Sequence, residues 1–308
     1  MMLNALTTLL QVMVPLSIPV IVGALLRKYL RLDTKPLVTL HLYFLSPALM
    51  LDMLTTAELT LEDVGQTLLF CLVNLVVMWG VAVLIGRLLK LEAPERAGLT
   101  LISTLTNSVN YGLPLILLAF GKAGLDKAAV YIVLQIILAN TVGVYFAARS
   151  QFTIRGAIKS VFSLPSIYTA ALAILLRALG WQLPGGVAEG VSMAAAAYSP
   201  VVLTVLGAQM ISVAGAATAE RLRKAFWAGL TVRKVLAPVI TLAILYALNI
   251  RGVMFAVFFI LSSMPVAVNA VVLAEKFDAS PQMMSKCILW TTLASFAVLP
   301  VYIVLVGG

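Results

Sequence analysis

Apolar residues run along most of this chain. They show neither the strict alternation of a half-buried strand nor the one-sided stripe of a surface helix. Long stretches are apolar on every face, and short polar or proline-containing intervals separate them. Ten segments can be drawn, near 5–26, 36–55, 64–88, 95–120, 126–148, 163–180, 187–213, 228–248, 252–275 and 282–306. A helix needs roughly 20 predominantly apolar residues to cross a bilayer. The pattern therefore predicts an all-α polytopic membrane protein with ten transmembrane helices. The first segment has no charged residue before Arg27 and is longer than a signal-peptide core, so it reads as a retained helix.

Composition removes the competing classes. The 308 residues are 62% hydrophobic and only 11% charged, against about a quarter charged in globular domains. A soluble fold of this length cannot hide so much apolar surface. A soluble enzyme, a disordered chain and a disulfide scaffold are excluded, and the loops leave no room for a separate soluble domain. Cys71 and Cys287 fall inside apolar stretches and read as small buried residues.

The net charge of +9 has a topological meaning. Lys122, Lys127, Arg177 and Arg251 flank one set of loops. Every other Lys and Arg lies in or beside the alternate set, with Arg233 and Lys234 counted there as the first turns of segment eight. Cytoplasmic loops carry the positive excess, so the loops after segments one, three, five, seven and nine are cytoplasmic and both termini lie outside. No basic run is long enough for a nucleic-acid surface. Intramembrane protease signatures are missing, and His41 is the sole histidine, which makes a metal site improbable. No enzyme and no cofactor are expected, apart from a coupling ion.

Prolines recur at an offset of roughly 150 residues: Pro15 with Pro165, Pro36 with Pro184, Pro47 with Pro200, Pro114 with Pro265. Five segments per half invert the second half, so residues 1–152 and 153–308 read as inverted five-helix repeats. Two segments at matching positions are interrupted. Segment four contains Thr104-Leu105-Thr106-Asn107-Ser108-Val109-Asn110-Tyr111-Gly112-Leu113-Pro114, and segment nine contains Ser262-Ser263-Met264-Pro265-Val266-Ala267-Val268-Asn269. Pro114 and Pro265 remove backbone donors, and Gly112 is free to leave helical geometry. Polar groups and loose backbone at that depth must be met by protein or by a cavity. A pair of interrupted helices is the sequence pointer to a substrate site, and half-helix N-termini favour an anion.

At these residues the chain resembles the auxin efflux carrier family, whose plant members are the PIN-FORMED transporters and whose bacterial members include organic-anion carriers. The resemblance rests on Asn107 to Gly121, on Met264 to Asn269 running into Leu273-Ala274-Glu275-Lys276, and on Leu45-Ser46-Pro47-Ala48-Leu49. The long central loop of many plant members is missing. The resemblance implies a scaffold domain (5–55 and 163–213), a mobile transport domain (64–148 and 228–306), crossing of the two broken helices, elevator-like movement and a homodimer formed through the scaffold. The expected location is a bacterial cytoplasmic membrane. The expected function is secondary transport of a small organic anion, a carboxylate, with a proton as the favoured coupling ion. A sodium-coupled symporter, a channel and a non-transporting ligand sensor stand as alternatives.

Each candidate residue has a chemical role. Asn107 and Asn110 share a helix face at a spacing of three and can donate amide hydrogens to a carboxylate. Asn269 is their expected partner from the second break, and the resemblance implies the same contact. Tyr111 sits within the first break. Gln135 in segment five and Ser46 beside Pro47 are further lining candidates, and Asn140 and Ser199 weaker ones. For ion coupling the candidates are Asp52, Glu275 and Ser263, since membrane carboxylates are functional by default and sodium needs oxygen ligands. Glu275 has an alternative as a structural pair with Lys276 or Lys286. His41, beside Tyr43 and Phe44, reads as structural. Residues 214–227 read as an amphipathic interfacial helix.

Overall fold

The computed structural model describes residues 2–58, 60–148, 165–214, 222–268 and 270–306. Among these the regular secondary structure is all helical, with one isolated β-bridge. The helices are α1 (Met2–Leu30), α2 (Lys35–Thr56), α3 (Leu61–Leu88), α4 (Ala93–Thr104), α5 (Leu113–Leu138) and α6 (Val144–Ala148) in the first half. The second half has α7 (Pro165–Ala178), α8 (Gly185–Ala214), α9 (Arg223–Ala247), α10 (Gly252–Ser262), α11 (Ala270–Lys276) and α12 (Pro281–Val306). Among the described residues, six helical stretches are long and apolar enough to cross a membrane: 35–56, 61–88, 108–147, 185–211, 223–247 and 281–306. α7 and α10 are shorter apolar helices.

Local chemistry sets the helix ends. α3 starts at a capping box in which Asp63 N donates to Thr60 Oγ1 (3.1 Å) and Thr60 N donates to Asp63 Oδ2 (2.9 Å). α4 starts with Pro94 in its first turn and with Glu92 N donating to Glu95 Oε2. Lys90, Gly180, Asn249 and Asp278 all take positive φ just beyond a helix. Beside each, the next N–H reaches back to a carbonyl five residues earlier: Leu91 to Gly86, Trp181 to Leu176, Ile250 to Leu245 and Ala279 to Ala274. These are left-handed caps that satisfy otherwise orphaned carbonyls.

The predicted division between segments four and five falls at Gly121, whose φ of 59° and ψ of −153° are not helical. That conformation belongs almost solely to glycine. It separates the rod ending at Phe120 from the one beginning at Lys122.

Two groups of helices pack most extensively. α1 lies along α8, and the Ser46–Thr56 part of α2 packs on α7 and α8. Lipid tails are as apolar as leucine, so close approach must stabilise such contacts. A Cβ added to Gly23 would strike the Thr204 carbonyl, and one added to Gly207 would strike the Val20 carbonyl. The two glycines let α1 and α8 touch backbone to backbone. Between α2 and α7, the Ser46 and Ser166 hydroxyls share a hydrogen bond of 2.9 Å. The second group joins α3, α4, α5, α9, α10 and α12 around a buried aromatic cluster of Phe70, Tyr131 and Phe258. Large apolar side chains such as Leu84, Tyr168, Ile174 and Val239 stay exposed, as a lipid-facing surface requires.

Candidate functional site

The two interrupted segments meet. α4 ends at Thr104, Leu105 is extended (φ −103°, ψ 111°), and the chain re-enters helix through a π-turn at Ser108–Gly112. α10 ends at Ser262, and α11 begins at Ala270. Between the helices, Thr106 and Val266 form an antiparallel bridge. Asn107 N donates to Pro265 O at 2.8 Å, and Ala267 N donates to Leu105 O at 3.1 Å. Pro265 has no N–H to satisfy, and its carbonyl serves the bridge. Val266 N donates to Thr291 Oγ1 of α12 at 3.2 Å. Part of the backbone freed by each break is thus met by the other break or by α12. The fit is close: a Cβ on Gly112 would lie 2.7 Å from Leu261 Cδ2 and 3.4 Å from Met264 Cγ.

Asn107 is 3% exposed, and its Nδ2 is buried with no partner among the described residues. Ser263 Oγ is in the same condition. Asn110 has a different neighbour. Its Oδ1 accepts from Tyr198 OH of α8 at 3.2 Å, and the Tyr198 ring meets His41 of α2 edge-on at 5.2 Å. His41 is buried with Nδ1 unpartnered among the described residues. Tyr111 is buried against Phe296 at 5.8 Å. Pro114 is buried in the first turn of α5, and Gln135 is buried farther along it. Asn269 lies outside the described residues. So does the side chain of Asn140.

Other candidates lie elsewhere. The Ser46 hydroxyl is engaged by Ser166. Asp52 is half-buried late in α2, within electrostatic reach of Lys122. Lys122 donates to Thr56 O (3.0 Å) and pairs with Asp126 at 3.3 Å. Arg177 donates to the Leu54 and Ala57 carbonyls, so these charges gather at one end of α2. Glu275 is exposed near the end of α11. Among the described residues the ion pairs are Lys122–Asp126 and Lys127–Asp63, so Glu275 pairs with neither Lys276 nor Lys286. The interfacial stretch at 214–227 falls partly on residues that are not described. From Arg223 onward it is the start of α9.

Arg233, placed by the sequence in the first turns of segment eight and counted with the cytoplasmic charges, is 1% exposed in a π-helical segment of α9. Its Nη1 donates to Ser103 O at 2.9 Å and more weakly to Ile102 O at 3.4 Å, and its Nη2 donates to Ser262 O. One guanidinium therefore binds the C-terminal carbonyls of both half-helices, the negative ends of their dipoles. Ser262 Oγ also meets Tyr131 OH at 3.2 Å. A charge inside an apolar segment is a functional signal, but counting charges by membrane side says nothing of what such a charge touches.

Comparison with known proteins places the chain among membrane transporters. The family described as "Membrane transport protein" matches residues 9–155 and 150–303. An uncharacterized transporter of Methanothermobacter thermautotrophicus is 26% identical over 264 residues, 83% of each chain. Another, from Methanocaldococcus jannaschii, is 25% identical over 232 residues, 72% of each chain. The chain belongs to the membrane transport protein family, that of the auxin efflux carriers, and is an integral membrane transporter rather than an enzyme.

Proposed function

We propose that this protein is a secondary active transporter that moves a small organic anion, a carboxylate, by elevator-type alternating access. The observation that carries the reading is the Asn107 amide. A buried amide donor without a partner costs free energy, and this one stands at the start of a half-helix, where the dipole favours negative charge. Among the described residues no acceptor reaches it, and a carboxylate would supply one. Asn110, Tyr111, Gln135 and, from the opposite break, Asn269 complete the proposed pocket. Ser46 would join it from the scaffold only on release from Ser166. Gly112, Pro114 and Pro265 keep the helices broken.

The proposed architecture is ten helices in two inverted repeats, 1–152 and 153–308. α1, α2, α7 and α8 form the scaffold, and the remaining helices form the moving domain. The separate packing of α1 with α8 and of α2 with α7 supports this division. Contact between the two groups through Asn110 and Tyr198 is what an elevator must break and remake. A proton is the favoured coupling ion, with Asp52 as its carrier, and Glu275 and Ser263 are further candidates for an ion. A homodimer forms through the scaffold in the cytoplasmic membrane, with both termini outside.

Counterflow in proteoliposomes tests the reading. Small mono- and dicarboxylates are screened for stabilisation of the purified protein, and the best is offered in labelled form against unlabelled internal anion. A carrier shows trans-stimulation. A flux that ignores the internal anion indicates a channel, and the lack of any flux indicates a sensor.

A further inference from the structure

Broken-helix transporters that use sodium bind it with unwound carbonyls and the C-terminal ends of half-helices. In this chain the half-helix C-terminal ends are already engaged. The ends of α4 and α10 offer the carbonyls of Ile102, Ser103 and Ser262, and all three accept from the Arg233 guanidinium. Arg233 forms no ion pair among the described residues, so backbone oxygens compensate its charge, as they would a bound metal ion. Lysine would not fill the same place, because its ammonium is compact whereas the planar guanidinium spans carbonyls on two helices at once.

We propose that Arg233 is the resident cation of the crossing, a positioning residue that stands in for a coupling sodium ion and makes this transporter sodium-independent. The inference rests on reading the crossing as the transport site. Arg233 ties α4 and α10 together through one charged group and leaves the crossing with a net positive charge. That charge is long-lived, because a guanidinium is not deprotonated under physiological conditions. At these two helix ends sodium meets carbonyls that already accept from a guanidinium, and no anionic side chain among the Arg233 contacts draws it in.

The test needs no transported anion, so its failure is distinct from failure of the carboxylate reading. Thermal unfolding of purified wild type, Arg233→Lys and Arg233→Ala is measured in sodium, potassium and choline chloride at equal ionic strength. Labelled sodium entry into proteoliposomes is measured alongside. Wild type is expected to melt at the same temperature in all three salts and to admit no sodium above protein-free vesicles. Arg233→Ala is expected to melt roughly 5–10 °C lower in choline. Added guanidinium or sodium restores part of that loss, and potassium restores less. Arg233→Lys is expected to fall between wild type and Arg233→Ala and to remain salt-indifferent. Sodium-specific stabilisation of wild type, or sodium entry through it, overturns the proposal. So does an Arg233→Ala protein equally unstable in every salt and unmoved by guanidinium, since that marks an ordinary helix tie. If Arg233→Ala does not fold, the wild-type measurements still decide.

Discussion

The backbone N–H of Asn107 donates to the carbonyl of Pro265 across the two helix breaks at 2.8 Å, and Ala267 N returns a bond to Leu105 O at 3.1 Å. This exchange fixes the register of one break against the other. Pro265 provides the acceptor and keeps α10 from running on through the crossing. In Pro265→Ala the acceptor persists but the helix regains a way to continue. We expect a stability loss of about 1–3 kcal/mol and a larger loss of uptake, read by thermal unfolding and by counterflow. Normal transport by this variant would show that the break needs no proline.

Asn107→Ala separates binding from folding. Asn107 Nδ2 has no partner among the described residues, so truncation breaks no hydrogen bond of that atom. Melting should shift by less than about 1 kcal/mol equivalent, while uptake falls at least tenfold. A large stability loss with uptake in proportion would assign the side chain to structure instead.

Tyr198 OH and Asn110 Oδ1 connect α8 to the re-entry after the first break at 3.2 Å. In a double-mutant cycle of Tyr198→Phe and Asn110→Ala, the two changes should be non-additive by about 1 kcal/mol in stability. Tyr198→Phe alone should alter the transport rate while leaving apparent substrate affinity within about twofold, because the contact joins the groups proposed to move. Additive effects would place the two residues in independent environments.

The α1–α8 contact has its own test. Gly23→Ala and Gly207→Ala each push a methyl group into a backbone carbonyl, and neither helix can yield without separating. Each should cost about 3 kcal/mol or more. Gly65→Ala, in α3 with open space at its Cβ, should be neutral or stabilising by up to about 1 kcal/mol. Comparable melting of all three variants would mean that α1 and α8 are not closely held.

Sequence alone determined the class, because a chain 62% hydrophobic and 11% charged has one environment in which every face of its helices can be satisfied. It also located both breaks. Proline, glycine and asparagine inside an apolar run interrupt hydrogen bonding through their own covalent structure, whatever surrounds them. The site's partners needed the tertiary structure. Ser46 and Ser166 lie 120 residues apart and Asn110 and Tyr198 88 apart, and no local pattern specifies such pairs. Arg233 is the sharpest case. In one dimension it is a basic residue beside Lys234 near the edge of an apolar segment. In space it binds the ends of two helices and becomes the charge of the crossing. The chemistry of a guanidinium is written in its residue type, but which carbonyls it answers depends on which helices fold beside it.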